Sequence, residues 1–231
     1  MNKSKLKTAA KKILKFLKPK INFGDLDRTS PLSTAFGYDR GGPVDRYYIE
    51  NFLKSNASLI KGRVLEIGDN EYTLKYGGAQ VTQSDIFHVD ETNTAAAYTG
   101  DISNAPHVPD NLYDCIICTQ TLQLIYDYKG AIATCHRILK PGGSLIITVP
   151  GLSHVAQDIW GEYWLWSFTS RSIRLILGEQ FKEEKVKLQT FGNVLVATAF
   201  LYGIGLPEIS KKKMEVYDKH YQLIIAGIAT K

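Results

Sequence analysis

Apolar positions along this chain follow two rhythms. Residues 63–67, 80–84, 112–118 and 144–150 form short runs bounded by glycine or acidic turns, and these read as strands of a buried sheet. Residues 44–59, 129–139, 169–177 and 194–202 instead place apolar side chains at three- and four-residue spacing, which predicts amphipathic helices. Pro43 stands near the start of the first helix, and Gly77-Gly78 closes a short helical segment before the second strand. Lys140-Pro-Gly-Gly reads as a helix stop, after which Ser144–Pro150 is a fifth strand. Further strands are expected over 186–191 and 221–229. The alternation predicts an α/β fold whose parallel strands are joined by right-handed crossovers.

The first 20 residues break this pattern. Leu6, Ala10, Ile13, Leu14 and Leu17 fall at helical spacing among eight lysines and no acid, and Pro19 ends the run. This leader (1–20) reads either as a basic amphipathic helix on an anionic membrane surface or partner, or as a solvated, partly disordered segment. It also explains the net charge of +5. The remaining 211 residues hold 20 of the 28 basic groups against 23 acidic ones, a net of −3, so basicity belongs to the leader alone. No aromatic-interleaved basic patch continues into the body, which argues against nucleic acid. With no apolar run of roughly 18 residues and no apolar core with a cleavage site, neither a membrane span nor a secretion signal is expected. A cytoplasmic protein, peripheral at most to the inner face of a membrane, is the expectation.

Candidate chemistry gathers at the ends of the strands. Lys61-Gly-Arg-Val-Leu-Glu66-Ile-Gly68-Asp69-Asn-Glu71 is a strand breaking into a polar turn, the place where an α/β sheet holds a nucleotide-like ligand. Asp85, 19 residues beyond Glu66, is close to the spacing at which a carboxylate accepts both ribose hydroxyls; Asp90 competes for that role. In Gly100-Asp101-Ile102 the aspartate can accept from an exocyclic amine, while the isoleucine flanks a base. Asp39 to Tyr48 mixes charges and phenols with glycines, a composition suited to a loop over a ligand, with exposed ion pairs as the plainer reading. Gly151–Ser167 carries His154, Asp158 and all three tryptophans, an aromatic lid where acceptors dock. Cys115 and Cys118 form a C-x-x-C, yet on a strand positions three apart face opposite sides, so both read as buried core thiols. No metal-ligand cluster is evident.

Together these motifs resemble class I S-adenosylmethionine-dependent methyltransferases: Val-Leu-Glu-Ile-Gly at 64–68, Asp85, Gly-Asp-Ile at 100–102, Tyr-Asp-Cys-Ile-Ile at 113–117 and Ile-Leu-Lys-Pro-Gly-Gly at 138–143. More narrowly, Phe-Gly-Tyr-Asp-Arg-Gly-Gly-Pro-Val-Asp-Arg-Tyr-Tyr at 36–48 and Trp-Gly-Glu-Tyr-Trp at 160–164 resemble methyltransferases associated with glycosyltransferases in polysaccharide synthesis. The resemblance implies a Rossmann-like doubly wound sheet of about seven strands with the last antiparallel, within a domain over 21–231 that has a cap at 21–60 and the lid at 151–180. It implies S-adenosylmethionine as cofactor. Glu66 and Gly68 would border its methionine, Asp85 its ribose hydroxyls, and Asp101 and Ile102 its adenine, with Asp69 and Ile86 also among the cofactor-binding residues. Thr119 and Gln120 would follow the fourth strand beneath the sulfonium, with Arg46 and Tyr47 contributed by the cap. The family's Gly-x-Gly-x-Gly turn keeps only Gly68 here, and Asn70 is expected to supply the left-handed conformation of the second glycine.

Three functions are compatible with this reading. One is an O-methyltransferase of a sugar hydroxyl in a glycan or activated sugar, with His154 as general base, Asp158 as its orienting or alternative base, and a glycosyltransferase as partner. The second keeps the fold but takes a small metabolite, a lipid-linked intermediate or a protein side chain. The third is a non-catalytic domain that has lost cofactor chemistry. For the leader, a membrane role predicts that deleting residues 1–20 abolishes co-sedimentation with anionic vesicles; equal sedimentation of both chains rejects it.

Overall fold

The computed structural model describes residues 22–231, so the expected leader helix lies outside the described residues. The chain divides into a unit of Met1–Ser30, where the described part contains one 3-10 turn (Gly24–Leu26), and a unit of Pro31–Lys231. The larger unit is built on seven strands: β1 (Gly62–Ile67), β2 (Val81–His88), β3 (Tyr98–Thr99), β4 (Tyr113–Thr119), β5 (Leu139–Pro150), β6 (Val186–Phe191) and β7 (Ile224–Thr230). Their order across the sheet is β3-β2-β1-β4-β5-β7-β6. β7 runs antiparallel to both neighbours, while the β1–β2, β1–β4, β2–β3 and β4–β5 pairs are parallel. This is the α/β sheet that the strand–helix rhythm predicted, with the seven strands and antiparallel last strand that the resemblance implied.

Strands this apolar are covered on both faces, and successive residues alternate between two cores. Leu65, Ile116, Cys118, Leu145 and Ile147 point into one, together with α2 (Tyr128–Ile138) and α3 (Ser170–Gly178). Val64, Cys115, Ile117 and Ile146 point into the other, against α1 (Val44–Ser55), α4 (Val194–Leu201) and the short α5 (Lys211–Met214). Cys115 and Cys118 therefore do lie on opposite faces, and all three cysteines are buried and free.

Local chemistry starts the helices. Asp127 accepts from the Gly130 amide, Asn193 from the Val196 amide, and Thr169 and Ser172 form a reciprocal capping box. The chain leaves β1 for β2 and β3, then returns to lay β4 beside β1. The sheet therefore reverses its winding at the carboxyl ends of β1 and β4, where such folds place their ligands. Among the described residues no helix is long and apolar enough to cross a membrane.

Two differences from the sequence reading matter for the site. The helix expected over 44–59 ends at Ser55 and continues as a separate 3-10 turn, Ala57–Leu59. The second strand, expected at 80–84, runs on to His88, because Phe87 and His88 pair with Tyr98 and Thr99 of β3.

Candidate active site

The turn after β1 is set by one carboxylate. Glu66 is 2% exposed. Its Oε1 accepts the Tyr72 amide (3.2 Å), and its Oε2 accepts the Thr73 amide and hydroxyl (both 2.7 Å). It thus caps the short helical turn that follows, and burial pushes its carboxyl up to about 7. Within the loop so closed, Gly68 adopts φ +101, and a Cβ built there would meet no atom within 4 Å, so open space lies before the turn. Asp69 accepts the Glu71 amide at 3.0 Å. Asn70 does not take the left-handed conformation expected of it. Its side-chain amide instead donates to Ser84 Oγ at 3.1 Å, tying the loop to β2.

Asp85 does not stand at the strand end expected of it. Asp85 lies inside β2, in register with Leu65, and is 5% exposed. Its carboxylate pairs with Arg63 (2.7 Å) and accepts Tyr113 Oη (3.1 Å) and Gln83 Nε2 (3.0 Å). Those partners sit near the amino ends of β1 and β4, so Asp85 holds three strands together and is not free at the carboxyl end. The carboxylate at that end is Asp90. The Gly68 amide donates to Phe87 O (2.9 Å) and Asn93 Nδ2 to Gly68 O (3.1 Å), which brings 88–93 against the β1 turn. Asp90 is exposed there, and hydrogen bonds from Thr92 lower its carboxyl. The strand's true end was the missing signal.

The remaining cofactor candidates divide. Asp101 is exposed and accepts the Ser103 amide at 2.8 Å, which leaves its second oxygen available. Ile86 and Ile102 are buried, Ile102 within the core, so neither offers a face to a base. Thr119 and Gln120 do stand at the end of β4. Gln120 holds φ 49, unusual for a residue with a side chain, while its amide donates to Thr148 O (2.8 Å). Such held strain is found where a site fixes a backbone. Arg46 donates to Tyr72 Oη (2.8 Å) and Tyr38 Oη (3.1 Å), bridging cap and turn. Beside it, Asp45 is buried with Oδ1 lacking a hydrogen-bond partner among the described residues. Tyr47 points elsewhere, its hydroxyl donating to Glu215 Oε1 at 3.3 Å, and is not part of this turn.

Past β5, the His154 ring stacks on Phe36 at 4.1 Å, with Phe200 at 5.8 Å; Trp164 covers Phe36 from 6.1 Å. Burial lowers the imidazole below its usual range, and Nδ1 is buried with no partner among the described residues. Asp158 does not orient it. That carboxylate accepts the Trp160 amide (2.9 Å) and caps the 3-10 turn Ile159–Tyr163. Trp166 is structural, donating to Ile125 O (2.9 Å) and packing edge-on against Tyr128. Gln123, which the sequence did not single out, is 2% exposed, and its carbonyl receives the Leu165 and Trp166 amides that anchor the lid; its Oε1 has no partner among the described residues.

A sulfonium nucleoside fits these residues. The open space before Gly68, the exposed Asp90 and Asp101, and the orphaned Asp45 Oδ1 and Gln123 Oε1 supply room and acceptors around the switch point.

Comparison with known proteins identifies the family and the fold. A family model described as a methyltransferase domain matches residues 34–184, more than half of the chain. Over 47 residues the chain is 38% identical to the ubiquinone/menaquinone biosynthesis C-methyltransferase UbiE of Haemophilus ducreyi; that stretch is 20% of this chain and 18% of the relative's length. Three solved structures share the fold. An S-adenosylmethionine-dependent methyltransferase from Archaeoglobus fulgidus has TM-score 0.55 and 15% identity, over 80% of this chain and 94% of that one. A phosphoethanolamine N-methyltransferase of Haemonchus contortus, in complex with S-adenosylhomocysteine, has TM-score 0.54 and 17% identity, over 92% and 61%. A Thermotoga maritima methyltransferase described as a possible histamine N-methyltransferase has TM-score 0.52 and 17% identity, over 84% and 94%.

Two outcomes are expected. Asp85→Ala strands Arg63 and Tyr113 and lowers stability by about 2–3 kcal/mol, discounted for the partly exposed arginine, with cofactor affinity retained; denaturant unfolding and calorimetry separate the two effects. Between the ordinary Glu66 value and about 7, the folded chain keeps a proton that the unfolded chain has released. The Glu66 contribution to stability therefore falls across that window by about 2–3 kcal/mol and levels off above it. Urea unfolding as a function of pH should show this slope in the parent and not in Glu66→Gln.

Proposed function

Because this chain belongs to the methyltransferase-domain family, with S-adenosylmethionine as its methyl donor, we propose that it O-methylates a sugar hydroxyl of a glycan or activated sugar. The observation that carries the reading is His154, a neutral imidazole with an unpartnered Nδ1, set in an aromatic stack beyond β5. Aromatic faces such as Phe36, Trp164 and the exposed Trp160 and Tyr163 are surfaces on which a sugar ring stacks.

The bound cofactor supplies an electrophilic methyl group, already activated by its sulfonium. The protein's task is alignment and proton removal. Gly68 leaves room at the turn, Asp90 accepts from the vicinal hydroxyls of a ribose, and Asp101 accepts from an exocyclic amine. Arg46, bridging Tyr38 and Tyr72, and the neighbouring Asp45 offer a charge pair suited to an amino-acid end. His154 takes the proton from the acceptor hydroxyl, which is too weakly nucleophilic at neutral pH without a base. The sequence resemblance in the cap and lid supports a place in polysaccharide synthesis beside a glycosyltransferase.

A second reading, a small-molecule or lipid-linked acceptor, is supported by the short stretch shared with UbiE. Methyl incorporation followed by mass spectrometry across glycan, activated-sugar and small aromatic acceptors separates the two. Calorimetric titration with S-adenosylmethionine comes first: an intact, folded chain that binds none is a non-catalytic domain.

His154→Ala should lower kcat by about 10²–10⁴ with cofactor affinity retained, and unchanged turnover rejects His154 as the base. Because burial lowers its pKa, the acidic limb of the parent's pH–rate profile should lie below the usual imidazole range. Asp90→Asn should weaken cofactor binding about tenfold, the size of one lost charge-assisted hydrogen bond.

A further inference from the structure

A groove of about 890 Å³ opens where β6 meets α1, α3 and α5, and none of its lining residues belongs to the turn after β1 or the end of β4. β6 is the last strand in the sheet order, so among the described residues no strand covers its outer edge. Cationic side chains outnumber carboxylates in the groove lining. Arg171 and Arg174 lie three apart on α3 and so share a helix face, and Lys211 joins them in the lining. Neither guanidinium has a hydrogen-bond or ion-pair partner among the described residues. Among the described residues Glu215 is the single carboxylate in the lining; it receives the Tyr47 hydroxyl at 3.3 Å and lies 3.8 Å from Lys211.

The position of Arg171 adds to the imbalance. It occupies the first turn of α3, where the helix dipole disfavours a cation, and that turn holds no acidic residue. Two unpaired guanidiniums on the first half of a helix, with Lys211 also in the groove lining, gather positive charge in a body whose net charge is negative. Tyr217 Oη, 2.9 Å from Thr190 Oγ1, adds a neutral hydroxyl to the wall, and the ring of Tyr48 an aromatic face.

We propose that this groove binds a ligand bearing a diphosphate group, which Arg171 and Arg174 grip through their forked N–H donors while Lys211 neutralises the remaining charge. A guanidinium fork matches the spacing of phosphate oxygens, and a diphosphate has enough acceptors to engage two forks at once where a carboxylate does not. The tyrosine walls then accommodate the organic part of the ligand. The inference is independent of which acceptor is methylated.

The test is isothermal titration calorimetry of the full chain with pyrophosphate at physiological ionic strength, where long-range charge effects are screened. Saturable binding is expected, about tenfold weaker in Arg171→Ala, weaker again in the double variant with Arg174→Ala, and unchanged in a Lys61→Ala, Lys182→Ala control that removes the same charge elsewhere. An absence of saturable binding by the parent chain, or an equal loss in the control, overturns the proposal. Unchanged thermal melting of the arginine variants excludes unfolding as the cause, and a double Arg→Gln variant repeats the measurement should the alanines melt early.

Discussion

The organisation of the site depends on a single buried carboxylate receiving three hydrogen bonds. In a loop rich in glycine, backbone freedom lets the chain pass close to a ligand. Here Glu66 holds the amides of Tyr72 and Thr73, and Asn70 ties to β2 through Ser84, so the turn keeps its shape through side-chain bonds. The cost is a carboxyl held near neutrality by burial. Arg46 extends the same arrangement into the cap by way of Tyr72. Cap, turn and first strand are therefore one connected polar structure.

The fold was legible in the sequence because its strands are so apolar. Alternating residues of 113–119 had to serve two cores, which is why the C-x-x-C could be read as packing and was found so. Site residues were less legible, and always for a local reason. Asp85 had nearly the right spacing from Glu66, but spacing cannot reveal that β3 draws β2 on to His88, three residues past Asp85, and leaves Asp85 inside the sheet, paired with Arg63. Ile102 follows an exposed aspartate in the chain, yet a 3-10 turn rotates it into the core. Tyr47 neighbours Arg46, but adjacent helix positions diverge by about 100°. Asp158 looked like a partner for His154 because the two are close in sequence, and a backbone amide claims it instead.

The aromatic surroundings of His154 and the β6 groove differ in surface chemistry. Around His154 the surroundings are aromatic and nearly uncharged, suited to a neutral ring and a proton transfer. Beyond β7, the groove is cationic and lined with phenols.

The buried cysteines give the molecule a means of reporting on itself. Burial raises the thiols of Cys115, Cys118 and Cys135 well away from reactive thiolate, so the folded chain is inert toward alkylating reagents. Cys115 serves the core beneath α1, while Cys118 and Cys135 serve the core beneath α2 and α3. The site at which a reagent first labels the chain therefore tells which side of the sheet has opened, so the order in which the two layers come apart can be followed without adding a probe.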